Sequence, residues 1–267
     1  MATKTAAILG LDTAAGAYLA RLLGARGYVV RGTGGPELLV RLGVADDVTQ
    51  ADDVAQAIAG ANEIYDLRGD VTATADLFAL GGTARIFVAV DPEETVAQPQ
   101  ARFVAIGVVY PHESRLGPGT SPVARIVAAT AAGSEPDPAD LATTTDCGWT
   151  AEYVDAMWRM LQRPAGEVLV IATGRVVTGV EVARVAAAYF KRAKPVAPAA
   201  TLAIAVAGHP GAAAASLRWR AVTWGDDLVT VLCEGIAGTW GKTTHHSPLA
   251  DERVSERKLG QQIGSTG

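Results

Sequence analysis

The strongest constraint on this chain lies at its start. Residues 5–11 (TAAILGL) form a continuous apolar run with Gly10 near its end, and residues 14–26 then carry Tyr18, Leu19, Leu22 and Leu23 at helical spacing up to Gly27. Tyr28-Val29-Val30-Arg31 follows as a second short strand. Strand, tight turn, helix and strand within about 30 residues is the size of a βαβ crossover, and it implies a parallel sheet.

The alternation continues. The spacing predicts helices over 52–59, 74–90 and 122–132 and strands over 63–67 and 102–109, the pattern of a doubly wound α/β sheet. The polar, proline-punctuated stretch 133–140 (GSEPDPAD) is the best candidate for a lobe boundary. Beyond it the pattern predicts a helix over 151–161, a strand over 167–172, a helix over 179–192, an apolar segment over 201–207 and a helix over 225–236. From Gly238 the chain is polar and charged, and is expected to be a loosely attached tail with a helical turn around 251–259. The expected organisation is a nucleotide-binding domain over 1–135, a shortened C-terminal lobe over 136–237 interleaved with the last sheet elements, and the tail over 238–267.

Composition narrows the function classes. A chain of 267 residues that is 49% hydrophobic and 19% charged, with 51 alanines and 29 glycines, is neither disordered, collagen-like nor a disulfide miniprotein. The net charge is −5, and no basic cluster exceeds Lys191, Arg192 and Lys194, so nucleic acid is not an expected partner. Cys147 and Cys233 lie in no CxxC or paired-histidine context, which predicts buried thiols in a reducing compartment and no metal site. No signal-peptide pattern and no apolar stretch of about 20 residues is present, so the expectation is a soluble, cytoplasmic protein with no membrane partner.

Gly10, Leu11, Asp12, Thr13, Ala14, Ala15 and Gly16 occupy the place of a GxxGxxG turn, where backbone N–H groups and the helix dipole can hold a pyrophosphate. Thr13 replaces the middle glycine, and its side chain is expected to crowd the approach of phosphate. After Val30, where an acid would meet ribose hydroxyls or arginines a 2′-phosphate, the chain offers Arg31-Gly32-Thr33-Gly34-Gly35. Arg31 reads as a solvated surface group or as a phosphate contact.

Several blocks together resemble the GDP-mannose 4,6-dehydratases, a family of the extended short-chain dehydrogenase/reductases. They are 7–20 (AILGLDTAAGAYLA), 47–49 (DVT), 63–67 (EIYDL), 74–81 (TADLFALG), Arg102-Phe103, 147–161 (CGWTAEYVDAMWRML), 170–174 (VIATG), 208–210 (GHP) and 217–219 (LRW). The resemblance implies a Rossmann-like fold, NADP or NAD as cofactor and a GDP-mannose-like nucleotide-sugar ligand. It carries the pyrophosphate contacts onto Gly10 to Gly16, the adenine contacts onto Asp47 and Val48, and the ribose neighbourhood onto Leu67, Arg68 and Gly69. Asp66 stands where the family usually has asparagine, Arg68 where it has a small residue, and Gly34 and Gly35 where it has arginines for the 2′-phosphate.

The family's reaction is an internal redox cycle in which a Tyr-xxx-Lys pair helps remove hydride and proton from the sugar C4. Such a pair needs a lysine four residues after a tyrosine on one helix face. The residues four after Tyr18, Tyr28, Tyr65, Tyr110, Tyr153 and Tyr189 are Leu22, Gly32, Gly69, Ser114, Met157 and Ala193. The helix expected to carry the pair, 121–130 (SPVARIVAAT), has neither residue, as though a segment had been deleted, and the strand end at 103–110 has no hydroxyl or carboxylate before Tyr110. No catalytic residue is therefore assigned. Tyr110, His112 and Glu113 form either a solvated surface turn or a substitute acid and base, and His245 and His246 are either exposed or metal-binding. Trp149, Trp158, Trp219 and Trp224 read as core and interface anchors rather than a sugar platform.

The expected function is a degenerate GDP-mannose 4,6-dehydratase-like protein without dehydratase activity. It would bind a dinucleotide or nucleotide-sugar and act through association, as a homo-oligomer or with an intact paralogue, in nucleotide-sugar or polysaccharide metabolism. The alternatives are an active NAD(P)-dependent dehydratase using unrecognised groups, and a purely structural interaction protein.

Overall fold

A computed structural model describes residues 3–99, 102–117, 119–193 and 206–238. Along the chain run β1 (Thr5–Leu9), α1 (Ala14–Ala25), β2 (Val29–Thr33), α2 (Glu37–Leu42), β3 (Val48–Gln50), α3 (Val54–Ile58), β4 (Glu63–Asp66), α4 (Val71–Leu80), β5 (Arg85–Val90) and β6 (Val104–Val109). There follow β7 (His112–Glu113), α5 (Pro122–Ala132), α6 (Pro138–Leu141), β8 (Thr144–Thr145), β9 (Gly148–Trp149), α7 (Thr150–Leu161), β10 (Val168–Ile171), β11 (Val177–Thr178), α8 (Gly179–Tyr189), α9 (Gly211–Leu217) and α10 (Gly225–Ala237). The described part of the apolar segment 201–207, Val206 and Ala207, is not in a regular element. Residues 201–205, the tail beyond Gly238, its expected helical turn and His245 and His246 lie outside the described residues.

The described residues fall into two compact units, those within 1–110 and 153–171 and those within 111–152 and 172–267. The first is the doubly wound α/β fold: seven parallel strands in the order β10-β6-β5-β4-β1-β2-β3. Its central strands β1, β5 and β6 are largely apolar on both faces because helices cover both. Ile64, Ile86, Val88, Val104 and Ile106 pack with Ala57 and Ile58 of α3 and Leu77 of α4 in one cluster. On α7, Trp158 donates from Nε1 to the Tyr28 hydroxyl at 3.3 Å, and Asp155 pairs with Arg26 at 3.2 Å.

One expectation is corrected: residues 74–90 are not one helix. α4 ends at Leu80, Gly81 and Gly82 turn the chain, with Gly82 at φ +53, and 85–90 is a buried strand paired with both β4 and β6. The run RIFVAV is apolar on every position after the first, and between two neighbouring strands it is buried at all of these except the half-buried Ala89.

Among the described residues, every crossover between neighbouring strands of this sheet carries a helix except one. β5 and β6 are joined by residues 91–103, and no described residue among them is helical. A helix is the usual connection between adjacent parallel strands. Here Val96 packs against the strand cluster instead, and Gln98 donates from Nε2 to the Val104 carbonyl at 2.5 Å.

The second unit packs α5, α8 and α10 around Val123, Ile126, Val127, Val182, Ala186, Leu228 and Leu232. Cys147 and Cys233 are buried in that core as free thiols, as expected, and burial pushes both up, Cys233 to about 12. The proline-rich stretch 133–140 lies within this unit, where Gly133 ends α5 at φ +77 and Asp137 caps α6. Among the described residues no helix is long and apolar enough to cross a membrane.

Candidate functional site

The turn after β1 is built by its own side chain. Thr13 is in extended conformation (φ −91°, ψ 155°), so position 13 needs no glycine. Its hydroxyl donates to the Gly10 carbonyl at 2.7 Å and accepts the Gly16 N–H at 2.9 Å, capping α1. The expected crowding by Thr13 is therefore revised: the hydroxyl is turned into the turn. Gly10 and Leu11 both donate to the Thr33 carbonyl, and Ala17 donates to Thr13. That leaves the amides of Ala14 and Ala15, the first two of the helix, as those with no intrahelical acceptor. Gly16 lets the helix sit against the strand, since a Cβ there would lie 2.1 Å from the Gly10 carbonyl oxygen. These residues fit a pyrophosphate, with the Ala14 and Ala15 amides as donors.

The other sequence-predicted residues divide into two groups. Leu67, Arg68 and Gly69 follow β4 beside the turn: Leu67 donates to Leu9, and its carbonyl oxygen is 3.4 Å from where a Gly10 Cβ would stand. Asp47 and Val48 are placed elsewhere. Val48 pairs with Val30, at the far end of β3 from the Gly32–Gln50 pairing, and Asp47 ends the short 3-10 helix before it. The residues that the register brings beside the turn are Gln50 and Ala51, whose N–H reaches Gly32.

The two departures at the end of β4 answer each other. Arg68 donates from Nε and Nη2 to the two carboxylate oxygens of Asp66, both at 2.8 Å, and Thr74 adds a hydroxyl at 2.9 Å. Hydrogen bonds to Asp66 hold the Arg68 guanidinium pKa above its usual value. A buried acid thus meets a cation through a paired fork at the sheet edge. Arg31 is half-buried rather than freely solvated. Its Nη2 donates to the Ala59 carbonyl, which caps α3 ahead of β4, away from the turn.

Tyr110, His112 and Glu113 do not form a solvated surface turn either. His112 and Glu113 are a strand, β7, paired with β9, and Glu113 is buried. His112 Nδ1 lies 2.9 Å from the Thr150 hydroxyl, and burial lowers its pKa to about 4. Burial also raises Glu113 above the usual carboxylate range, against hydrogen bonds from Ser121. An imidazole that stays neutral above pH 4 binds fewer protons than it does unfolded, where it titrates near 6.5. Stability from His112 is therefore complete above pH 6.5 and is lost as pH falls towards 4, by up to about 3 kcal/mol. Glu113 works in the opposite sense, gaining stability on protonation. Denaturant melts at pH 7 and pH 5 should show a smaller drop for His112→Gln than for the wild type, and equal drops would contradict this.

A second set of groups went unseen in the sequence. Asp146, 2% exposed, accepts the Thr173 N–H (3.0 Å), the Thr173 hydroxyl (2.6 Å), the Gly174 N–H (2.9 Å) and the Gly208 N–H (3.0 Å). It thereby ties the loop after β10 to the segment before α9. Glu152 does the same for Val222 and Thr223 at 2.7 to 3.1 Å. Between these clamps lies an open cleft of about 710 Å³, lined among others by Thr173, Arg175, His209, Arg220 and Trp224. Arg175 lies over the Trp224 ring at 4.8 Å. Two arginines and an aromatic face suit a planar anionic ligand. Trp149 and Trp219 are core residues, as expected, with Trp219 donating to the Glu152 carbonyl at 3.0 Å. No cluster of three or more metal-ligating side chains occurs among the described residues.

Residues 94–199 match the family model of the GDP-mannose 4,6 dehydratases. That stretch includes the 147–161 and 170–174 blocks on which the resemblance was read. Among solved structures, the enzyme WbmF of Bordetella bronchiseptica, in complex with NAD+ and UDP, is 12% identical, with 99% of this chain and 98% of that one covered and a TM-score of 0.72. UDP-glucose 4-epimerase of Bifidobacterium longum, with NAD+ and UDP, is also 12% identical, with 88% and 98% covered and a TM-score of 0.68. TunA, an NAD-dependent NDP-hexosamine 5,6-dehydratase of tunicamycin biosynthesis, is 16% identical, with 88% and 98% covered and a TM-score of 0.67. No curated protein matches the sequence.

Proposed function

We propose that this chain, which carries a GDP-mannose 4,6-dehydratase-like segment on the fold of the NAD-dependent epimerases and dehydratases, holds a nicotinamide dinucleotide and a nucleotide-sugar without performing the dehydration. The dinucleotide would lie with its pyrophosphate on the Ala14 and Ala15 amides, beside Leu67, Arg68 and Gly69. When bound it would supply a hydride acceptor. The chain's own residues supply anion binding there, and the cleft at Arg175, Arg220 and Trp224 would take the nucleotide of the sugar ligand. Two of the solved neighbours are complexes with NAD+ and UDP, which supports a dinucleotide and a nucleotide ligand.

The observation that carries the loss of chemistry is the absence of the Tyr-xxx-Lys pair from the sequence. No tyrosine of the chain is followed four residues later by a lysine. Helix α5, where the pair was expected, belongs to the second unit and contains neither residue. Without that proton-transfer pair a rate loss of about 10²–10⁴ follows from acid–base catalysis alone. Action would then run through association, with a second copy or an intact paralogue, in nucleotide-sugar metabolism of the cytoplasm.

Thermal unfolding with NAD, NADP, GDP-mannose, UDP-glucose and no ligand tests the binding half. A ligand at 100 times its Kd adds about 2.7 kcal/mol. A rise with a dinucleotide and with a nucleotide-sugar is the expected result. No rise with any of them would leave a purely structural protein.

A further inference from the structure

NAD and NADP differ by the phosphate on the adenosine 2′-oxygen. In a βαβ dinucleotide site that group is read at the C-terminal end of the second strand, by an acid that accepts the 2′-hydroxyl or by arginines that meet the phosphate. In this chain the place is the end of β2, and residues 32–36 (GTGGP) bring no cation to it. Arg31 is turned to the Ala59 carbonyl, and Arg68 is taken up by Asp66 in a two-pronged ion pair.

A carboxylate comes instead from the glycine turn. Asp12 is exposed, and a Cβ built on Gly34 would lie 2.6 Å from its Oδ1 and 2.8 Å from its backbone nitrogen. Gly34 holds φ +117, a conformation that L side chains rarely adopt, so the end of β2 runs bare beneath the Asp12 carboxylate. Resting on the dinucleotide reading above, we infer that Asp12 makes this turn selective for NAD: its carboxylate accepts a ribose hydroxyl and repels a 2′-phosphate.

The test is calorimetric titration of NAD and of NADP into the full chain and into Asp12→Asn, which keeps the size of the side chain and removes its charge. The wild type is expected to bind NAD at least about tenfold more tightly than NADP. In Asp12→Asn the ratio of the two constants should shrink by about tenfold, mainly by tighter NADP binding. Asp12→Ser serves as a second variant of the same kind, and far-UV circular dichroism reports that each is folded. Equal affinities in the wild type would overturn the inference, as would an unchanged ratio in folded variants. Binding of neither dinucleotide to the wild type would instead remove the reading on which it rests, and the inference with it.

Discussion

Asp146→Ala is expected to lower the melting temperature by on the order of 10 °C. Asp146 is buried, and its two carboxylate oxygens accept four donors from Thr173, Gly174 and Gly208. Removing an acceptor with that many partners leaves buried N–H and O–H groups unsatisfied, at a cost of about 3–5 kcal/mol. Each kcal/mol moves the melting temperature of a chain of this size by about 2–4 °C. Asp146→Asn keeps the volume but leaves one carbonyl oxygen for the four donors, so it should lose roughly half as much. Because Thr173, Gly174 and Gly208 also line the cleft, both variants should lose any stabilisation by a nucleotide-sugar. A melting temperature within about 2 °C of wild type for Asp146→Ala would show that the clamp does not hold the cleft together.

The second large effect is expected at Gly16. A Cβ at this position would meet the Gly10 carbonyl oxygen at 2.1 Å and the Leu11 Cα at 2.9 Å, all of it backbone that cannot rotate away. Gly16→Ala must push α1 off β1, at a cost of about 3 kcal/mol, and should abolish dinucleotide-dependent stabilisation by displacing the Ala14 and Ala15 amides. Gly24 provides the control within the same helix, since nothing lies within 4 Å of a Cβ there. Gly24→Ala should leave binding intact and raise stability by about 0.5–1 kcal/mol through helix propensity. If Gly16→Ala melts like Gly24→Ala, the close approach of helix and strand is not what shapes the turn.

Much of the first unit was legible because its signals are local. The run before Gly10 and the helical spacing of Tyr18, Leu19, Leu22 and Leu23 are properties of neighbouring residues, and β1, α1 and β2 stand within two residues of where those signals put them. Residues 74–90 were misread for a physical reason. A strand buried on both faces shows no alternation, so RIFVAV after an apolar helix looks like more helix unless Gly81 and Gly82 are given the weight of a turn. The short elements α2, β3 and α9 carry too few residues for any period to show.

The candidate site was legible only where it is local as well. Gly10 to Gly16 is one turn, but the partners that define its surroundings are remote in sequence: Thr33 on the Gly10 and Leu11 amides, Gly34 beneath Asp12, Ala59 on Arg31. Asp66 and Arg68 each looked like a departure when taken singly, and only their side-chain geometry shows them as a pair. The Asp146 clamp spans from residue 146 to residue 208 and leaves no motif behind. His112 and Glu113 read as polar and therefore solvated, whereas in the strand paired with β9 Glu113 is buried and His112 half-buried.

The central claim is a binding fold that has lost its proton-transfer pair, and the most direct test is the fate of the hydrogen at C4 of the sugar. The purified full chain, at stoichiometric concentration with NAD or NADP, is incubated with GDP-mannose deuterated at C4, and the sugar is analysed by mass spectrometry and NMR. The account predicts that the deuterium stays at C4 and that no 4-keto sugar forms. Deuterium leaving C4, or any 4-keto product, would contradict it and show a working redox site built from other residues of this chain.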